Sequence, residues 1–163
     1  LVRGRRSGRD EVEVNYHFAG GDFKEIQAPC GGLAEKGYLL DSGVPHCVIP
    51  VASPWDLRDR TAQLAPYIKS PVFGPRGANL TFVNWNAGGP SGNMRAVTLE
   101  RGVNDFTFSC GTGVIAISLV LEKLKGDHEW KTVSTPGGDL RVRTVSGAVS
   151  LSGPAHLVYK GEI

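Results

Sequence analysis

The stretch Ser109-Cys110-Gly111-Thr112-Gly113-Val114-Ile115-Ala116-Ile117-Ser118-Leu119-Val120-Leu121 decides the fold. From Val114 to Leu121 it is apolar nearly all round. It then runs through Glu122-Lys123-Leu124-Lys125 to Gly126, a basic last turn followed by a glycine stop. The pattern predicts a helix over residues 112–125. A helix without a polar face must be wrapped on every side, and here strands are predicted both before and after it.

Those strands show as period-two alternation in residues 12–18, 93–99, 139–145 and 148–152. Ser146-Gly147 reads as a tight hairpin turn between the last two, and Pro136-Gly137-Gly138 as a loop just upstream. Gly20-Gly21 and Gly31-Gly32 mark further loops. A shorter helix is predicted to begin at Ser53-Pro54-Trp55-Asp56, where a serine cap, a proline at the first helical position and an acid agree. Pro66 is expected to end it. The expected fold is therefore α+β, a mixed and largely antiparallel sheet curled around a central helix.

The chain has 163 residues, of which 40% are apolar, enough for one domain with a real core. Its formal net charge is +2 and its charges are spread out, apart from Arg3, Arg5, Arg6 and Arg9 near the start. Those arginines lack interleaved aromatics and read as a solvated strand, so nucleic acid is not an expected partner. No apolar run is long enough to span a membrane. The three cysteines, Cys30, Cys47 and Cys110, form no C-x-x-C pair, and a cytoplasmic location fits them best. The chain opens at Leu1 without a methionine and leads straight into an alternating segment, as though it began in mid-protein.

Chemistry concentrates around Cys110. A helix start offers unpaired N–H groups and partial positive charge, which favour a thiolate and give Gly111, Thr112 and Gly113 the means to hold an anion. Ten residues upstream, Glu100-Arg101-Gly102-Val103 ends a strand whose following loop returns to the helix start. Arg101 is thus expected near Cys110, its guanidinium forming a planar fork for a carboxylate. Ser42-Gly43-Val44-Pro45-His46 places an imidazole in a loop between two strands. Gly77-Ala78-Asn79 puts an amide at a strand edge, where it can orient a zwitterion. Cys30 and Cys47 have no charged neighbours in sequence and read as structural. His17, His128 and His156 lack the spacing of metal ligands, and Gly111-Thr112-Gly113 lacks the lysine of a phosphate-binding loop.

Six motifs occur together and in order. They are Gly43-Val44-Pro45-His46, Gly77-Ala78-Asn79-Leu80-Thr81-Phe82-Val83, Glu100-Arg101-Gly102-Val103, Ser109-Cys110-Gly111-Thr112-Gly113, Pro136-Gly137-Gly138, and Ser152-Gly153-Pro154-Ala155 with Val158-Tyr159-Lys160-Gly161-Glu162-Ile163. In this arrangement the chain resembles the C-terminal half of diaminopimelate epimerase over nearly its whole length. The resemblance implies a cofactor-independent enzyme, with no metal, that interconverts LL- and meso-diaminopimelate through two cysteines on opposite faces of the α-carbon. It implies Cys110 as one of that pair, Glu100 and His46 in support, and Asn79, Glu100, Arg101, Gly111 and Thr112 in contact with substrate. The other cysteine belongs to a first half outside these residues, which would be this chain's partner; a homodimer is a further expectation. Val44 stands where many members carry a substrate-contacting asparagine, and Phe106 where a glutamate is usual.

Three rival readings stand beside this one. The same resemblance also admits a proline-type or other amino-acid racemase or isomerase of the same superfamily, which would share the cysteine at a helix start. A non-catalytic module would bind a partner through the same face. A thiol acyltransferase would use His46 as the base for Cys110.

Overall fold

The computed structural model describes residues 3–8, 10–17, 22–34, 36–88 and 93–161. Arg9, Phe18, Gly20, Gly21, Glu162 and Ile163, each part of a sequence reading above, lie outside the described residues. The strands are β1 (Arg3–Arg6), β2 (Glu11–His17), β3 (Lys24–Gln27), β4 (Lys36–Asp41), β5 (Pro45–Pro50), β6 (Asn79–Asn84), β7 (Met94–Glu100), β8 (Asp105–Phe106), β9 (Lys131–Thr135), β10 (Gly138–Val145) and β11 (Ala148–Pro154). They form one sheet in the order β1-β2-β11-β10-β9-β7-β6-β5-β4-β3, with β8 paired to β7. Only β5 with β6 and β7 with β9 run parallel among these pairings. The mixed, largely antiparallel α+β sheet expected from sequence is the one observed.

Helix α2 (Gly111–Lys125) follows the Cys110 segment, with every residue from Gly113 to Leu121 buried. It ends at Gly126 in the left-handed region, where the Gly126 N–H donates to the Glu122 carbonyl. α2 packs on β4, β5 and β6 from one arm of the sheet and on β10 and β11 from the other, so the sheet curls around it. Val48, Ala96, Ile115, Ile117, Val120, Val142 and Val149 form the core between them. A fully buried aliphatic side chain of this kind stabilises the fold by about 1.5–3 kcal/mol. Among the described residues no helix is long and apolar enough to cross a membrane.

The sheet's other face carries a second core of Cys30, Cys47, Ile49, Leu80, Phe82, Val97, Leu99 and Phe106. Cys30 and Cys47 are thus structural, and burial raises both thiol pKa values, that of Cys47 to about 12. The segment covering this core corrects the shorter helix of the sequence reading. It is a 3-10 turn over Trp55–Arg60, a single α turn, α1 (Thr61–Leu64), and a second 3-10 turn over Ala65–Lys69. Ser53 makes no cap, since Pro54 holds that position, and Pro66 begins a turn instead of ending one. One local bond and one missing donor explain the break-up. The Thr61 hydroxyl captures the Arg58 carbonyl (3.0 Å), and Pro66 has no N–H to continue an α-helical ladder. Leu57, Leu64 and Ile68 still reach the core from these turns.

Ser146 and Gly147 both adopt positive φ (49° and 80°) and close the β10–β11 hairpin, as the sequence suggests. Arg3, Arg5 and Arg6 lie on the exposed edge strand β1, where Arg5 pairs with Glu13 at 2.8 Å. Charged side chains on such an edge discourage pairing with a further strand.

Candidate active site at the start of the central helix

Four elements meet at the N-terminus of α2. Strand β5 supplies His46, the first residue of β6 is Asn79, β7 ends with Glu100, and Cys110 caps the helix in an extended conformation (φ −131°). Side chains on a strand alternate between faces, and the outward-packed residues Cys47, Leu80, Phe82, Val97 and Leu99 all belong to the second core. Their neighbours His46, Asn79, Thr81 and Thr98 therefore turn toward α2.

His46 sits in strand β5 and not in the expected loop. The turn that precedes it is confined to residues 42–44, held by Ser42 N–H to the Val44 carbonyl (3.1 Å) and Gly43 N–H to Asp41 Oδ1 (2.9 Å). Pro45 already pairs with Asp41 across the β4–β5 hairpin, so the imidazole enters the sheet and is fully buried. Burial lowers its pKa to about 3, which keeps the ring neutral.

The ring is bonded on both sides. Nδ1 lies 2.8 Å from the Thr81 hydroxyl, and Nε2 lies 3.0 Å from the Thr112 hydroxyl and 3.2 Å from Asn79 Nδ2. The orientation of the Asn79 amide is determined by its other end, because the backbone N–H of Arg101 donates to Oδ1 at 2.7 Å. The Asn79 NH2 group therefore faces Nε2, and a donor there requires Nε2 to carry its lone pair and not a proton.

From Thr112 the network reaches Cys110, whose Sγ lies 3.4 Å from the Thr112 hydroxyl. Thr112 is held in turn by the Ser42 hydroxyl, which donates to its carbonyl at 2.9 Å. The charge of Glu100 acts on the thiol, and its carboxylate accepts a bond from the Thr107 hydroxyl at 2.7 Å. Gly113 permits this closeness. A Cβ added there would lie 2.6 Å from Thr98 Oγ1 and 3.1 Å from Thr81 Oγ1.

Cys110 also departs from the sequence reading. A helix start favours thiolate, yet the thiol pKa is raised. Burial is the largest cause, and the charge of Glu100 acts in the same direction. The Thr112 hydroxyl and the Gly113 N–H oppose them without prevailing. The neutral thiol is thus the resting form, partly exposed at the helix mouth.

Arg101 joins the site through Asn79 and not through a direct bond to the thiol. Its guanidinium is exposed and donates to the Arg76 carbonyl at 2.6 Å. The β7–β8 hairpin that carries it is tighter than the loop expected from sequence. Asn104 takes a positive φ of 58° and donates its N–H to the Glu100 carbonyl at 2.7 Å. Phe106 then turns into the second core against Phe82, with ring centroids 6.1 Å apart. Arg101, Val103, Phe108 and Ser109 leave an exposed rim around the buried His46 and Asn79.

Sequence reading missed the threonines Thr81 and Thr98. Their signal was present as single hydroxyl residues at inward positions of otherwise apolar strands, Leu80-Thr81-Phe82 and Val97-Thr98-Leu99.

This fold is shared with solved proteins of low sequence similarity. A hydroxyproline epimerase from Agrobacterium vitis, solved with bound trans-4-hydroxy-L-proline, matches with a TM-score of 0.68 at 16% identity, over 94% of this chain and 53% of that one. A phenazine biosynthesis PhzF-family protein of Enterococcus faecalis matches with a TM-score of 0.61 at 14% identity, over 96% of this chain and 59% of that one. The sequence defines the family more closely. The family model described as diaminopimelate epimerase matches residues 38–158, and the chain belongs to that family. Diaminopimelate epimerase of Methanocella arvoryzae is 39% identical over 153 residues, covering 86% of this chain and 52% of the relative. That of Methanopyrus kandleri is 36% identical over 163 residues, covering 96% and 54%. The chain spans about half the length of the curated relatives it matches.

Proposed function

We propose that this chain is one half of a cytoplasmic, cofactor-independent epimerase that interconverts LL- and meso-diaminopimelate, a step toward lysine and cell-wall precursors. The observation that supports this reading best is the linked set Cys110-Thr112-His46-Asn79, with Glu100 beside the thiol, at one open helix mouth. Cys110 rests as a thiol and gives its proton to one face of the α-carbon. A second cysteine, supplied by a half outside these residues, removes the proton from the other face. In the reverse direction Cys110 accepts.

The geometry suits that task. An amino-acid α-proton is very weakly acidic, so the charge that develops on the carboxylate must be met by fixed donors in a closed site. The first N–H groups of α2 have no partner within the helix, and those of Gly111 and Thr112 are the donors for the reacting carboxylate. Arg101, on the exposed rim, is the donor for the distal carboxylate. A positioned acid or base contributes about a hundredfold to ten-thousandfold in rate, so the donors must supply the rest. His46, with a pKa near 3 and Thr112 between it and the thiol, is a poor general base, which disfavours the acyl-transfer reading.

The test is solvent exchange. The full-length protein in deuterated water should place deuterium at the α-carbon of diaminopimelate, Cys110→Ala should abolish this, and this chain alone should show none. Deuterium entering proline instead would make it a proline-type racemase. A full-length protein inert toward both, with Cys110 intact, would favour the binding-module reading.

A further inference from the structure

We infer that Gly77 is a positioning residue, which sets the Arg76 carbonyl against the Arg101 guanidinium and so determines where that charged fork stands on the rim. The consequence for substrate rests on the epimerase reading above, while the placement of Arg101 stands without it.

Arg101 is held at two points, both on the segment that leads into β6. Its backbone N–H donates to Asn79 Oδ1 at 2.7 Å, and its Nη1 donates to the Arg76 carbonyl at 2.6 Å. The second bond restrains the charge, because a long exposed side chain otherwise keeps its rotamer freedom. A guanidinium carries five N–H donors in one plane, so a single bond to a carbonyl restrains the fork and leaves donors for a carboxylate. The Arg76 side chain has a different partner, since its Nη2 donates to Asp41 Oδ2 at 3.4 Å. Only its carbonyl faces Arg101, and the backbone conformation of residues 76 and 77 determines where that oxygen lies.

That conformation is anchored in the second core. Ile68 is fully buried there, and its carbonyl accepts the Ala78 N–H at 3.0 Å. Gly77 packs against the same oxygen, which a Cβ at residue 77 would approach to 2.5 Å. Its φ of 63° lies in the left-handed region that favours glycine, and its N–H closes the turn onto the Gly74 carbonyl at 3.1 Å. The Ile68 oxygen belongs to buried backbone and cannot withdraw, so a side chain at residue 77 must push the turn away. The Arg76 carbonyl shares its peptide bond with Gly77 and moves with it. Asn79 is held separately by the pairing of β6 with β5, where it lies opposite His46. Displacing the turn therefore moves the fork for the distal carboxylate and leaves the groups around Cys110 in place.

The test uses the full-length protein. In Gly77→Ala the KM for diaminopimelate should rise about tenfold, as a charge-assisted bond to a carboxylate is lost, while kcat stays within about threefold. Gly126→Ala puts the same left-handed strain (φ 62°) at the far end of α2, where a Cβ meets open space. It should lower the unfolding midpoint and leave KM unchanged, which separates the placement of Arg101 from a general loss of stability. Nitrogen NMR of labelled arginine reads the bond itself, with the Arg101 signal assigned by its loss in Arg101→Lys. The guanidinium should rotate slowly in the unaltered protein and as freely as a solvated arginine in Gly77→Ala. If Gly77→Ala does not fold, Gly77→Asn, which tolerates the left-handed region better and still brings a Cβ against Ile68, carries the same expectations. An unchanged KM in the folded variant overturns the inference, as does a freely rotating Arg101 in the unaltered protein or a loss of kcat as large as the rise in KM. Failure of the unaltered protein to exchange diaminopimelate would instead remove the epimerase reading, and the NMR comparison would still decide the placement of Arg101.

Discussion

At the residue scale, the two groups that matter most are both held neutral by burial, with different consequences. The charge of Glu100 opposes ionisation of Cys110, so Glu100→Gln should lower the thiol pKa. Alkylation of Cys110 by iodoacetamide at neutral pH should therefore speed up in that variant, followed by mass spectrometry against the buried Cys30 and Cys47; an unchanged or slower rate would contradict the role assigned to Glu100. For His46 the folded-state pKa is about 3 against an ordinary 6.5, so between these values the unfolded chain binds a proton that the native chain refuses. Its neutral burial favours folding fully above about pH 6.5, and that contribution is lost as the pH falls toward 3. The loss amounts to as much as about 5 kcal/mol. Denaturant unfolding followed from pH 7 down to pH 4 should show this slope, and His46→Gln, which cannot take up the proton, should flatten it.

At the scale of elements, the site depends on how closely the first turn of α2 approaches strands β6 and β7. Gly113→Ala would place its Cβ 2.6 Å from Thr98 Oγ1 and 3.1 Å from Thr81 Oγ1, atoms of short side chains with little freedom to withdraw, so the helix start must move. Overpacking of this kind costs about 1–3 kcal/mol. The expected outcome is lower stability and lost activity, with stability partly regained in Gly113→Ala combined with Thr98→Ala; a double-mutant cycle by denaturant unfolding measures the coupling. The same closeness explains what could be read without coordinates. The motif residues of α2 and its all-round apolar stretch announced a buried helix beginning near Cys110, and alternation announced β2, β7, β10 and β11. His46 was misplaced because a turn of three residues and a strand start look alike in Gly43-Val44-Pro45-His46. The broken helix over residues 55–69 was misread because a Ser-Pro-x-Asp start is a local signal, while Thr61 and Pro66 act against it from within. The raised thiol pKa of Cys110 could not be read at all, since burial and the nearness of Glu100 exist only in three dimensions.

At the scale of the whole molecule, one helix joins two arms of sheet that also meet through a short parallel pairing, Met94 with Val133 and Arg95 with Ser134, and through the Gly137 N–H, which donates to the Phe108 carbonyl. His46, Asn79 and Glu100 all come from the arm of β5, β6 and β7, while β10 and β11 brace the far side of α2. The second arm adds Thr135 to the small cavity beside Cys110 and braces the helix that carries the thiol. Ile117 lies fully buried in the core around the helix, and Ile117→Ala should cost about 2–5 kcal/mol. Because α2 packs on both arms, they should unfold together. Trp55, which donates to the Ala96 carbonyl, reports on the first arm, and Trp130, flanked by Arg141 and Arg143, reports on the second. In a Trp85→Phe background, variants that retain only Trp55 or only Trp130 should give coincident unfolding midpoints, both shifted equally by Ile117→Ala. Midpoints that separate would mean that the second arm can come apart while the helix mouth stays formed, and that Cys110 is held in place by β5, β6 and β7 alone.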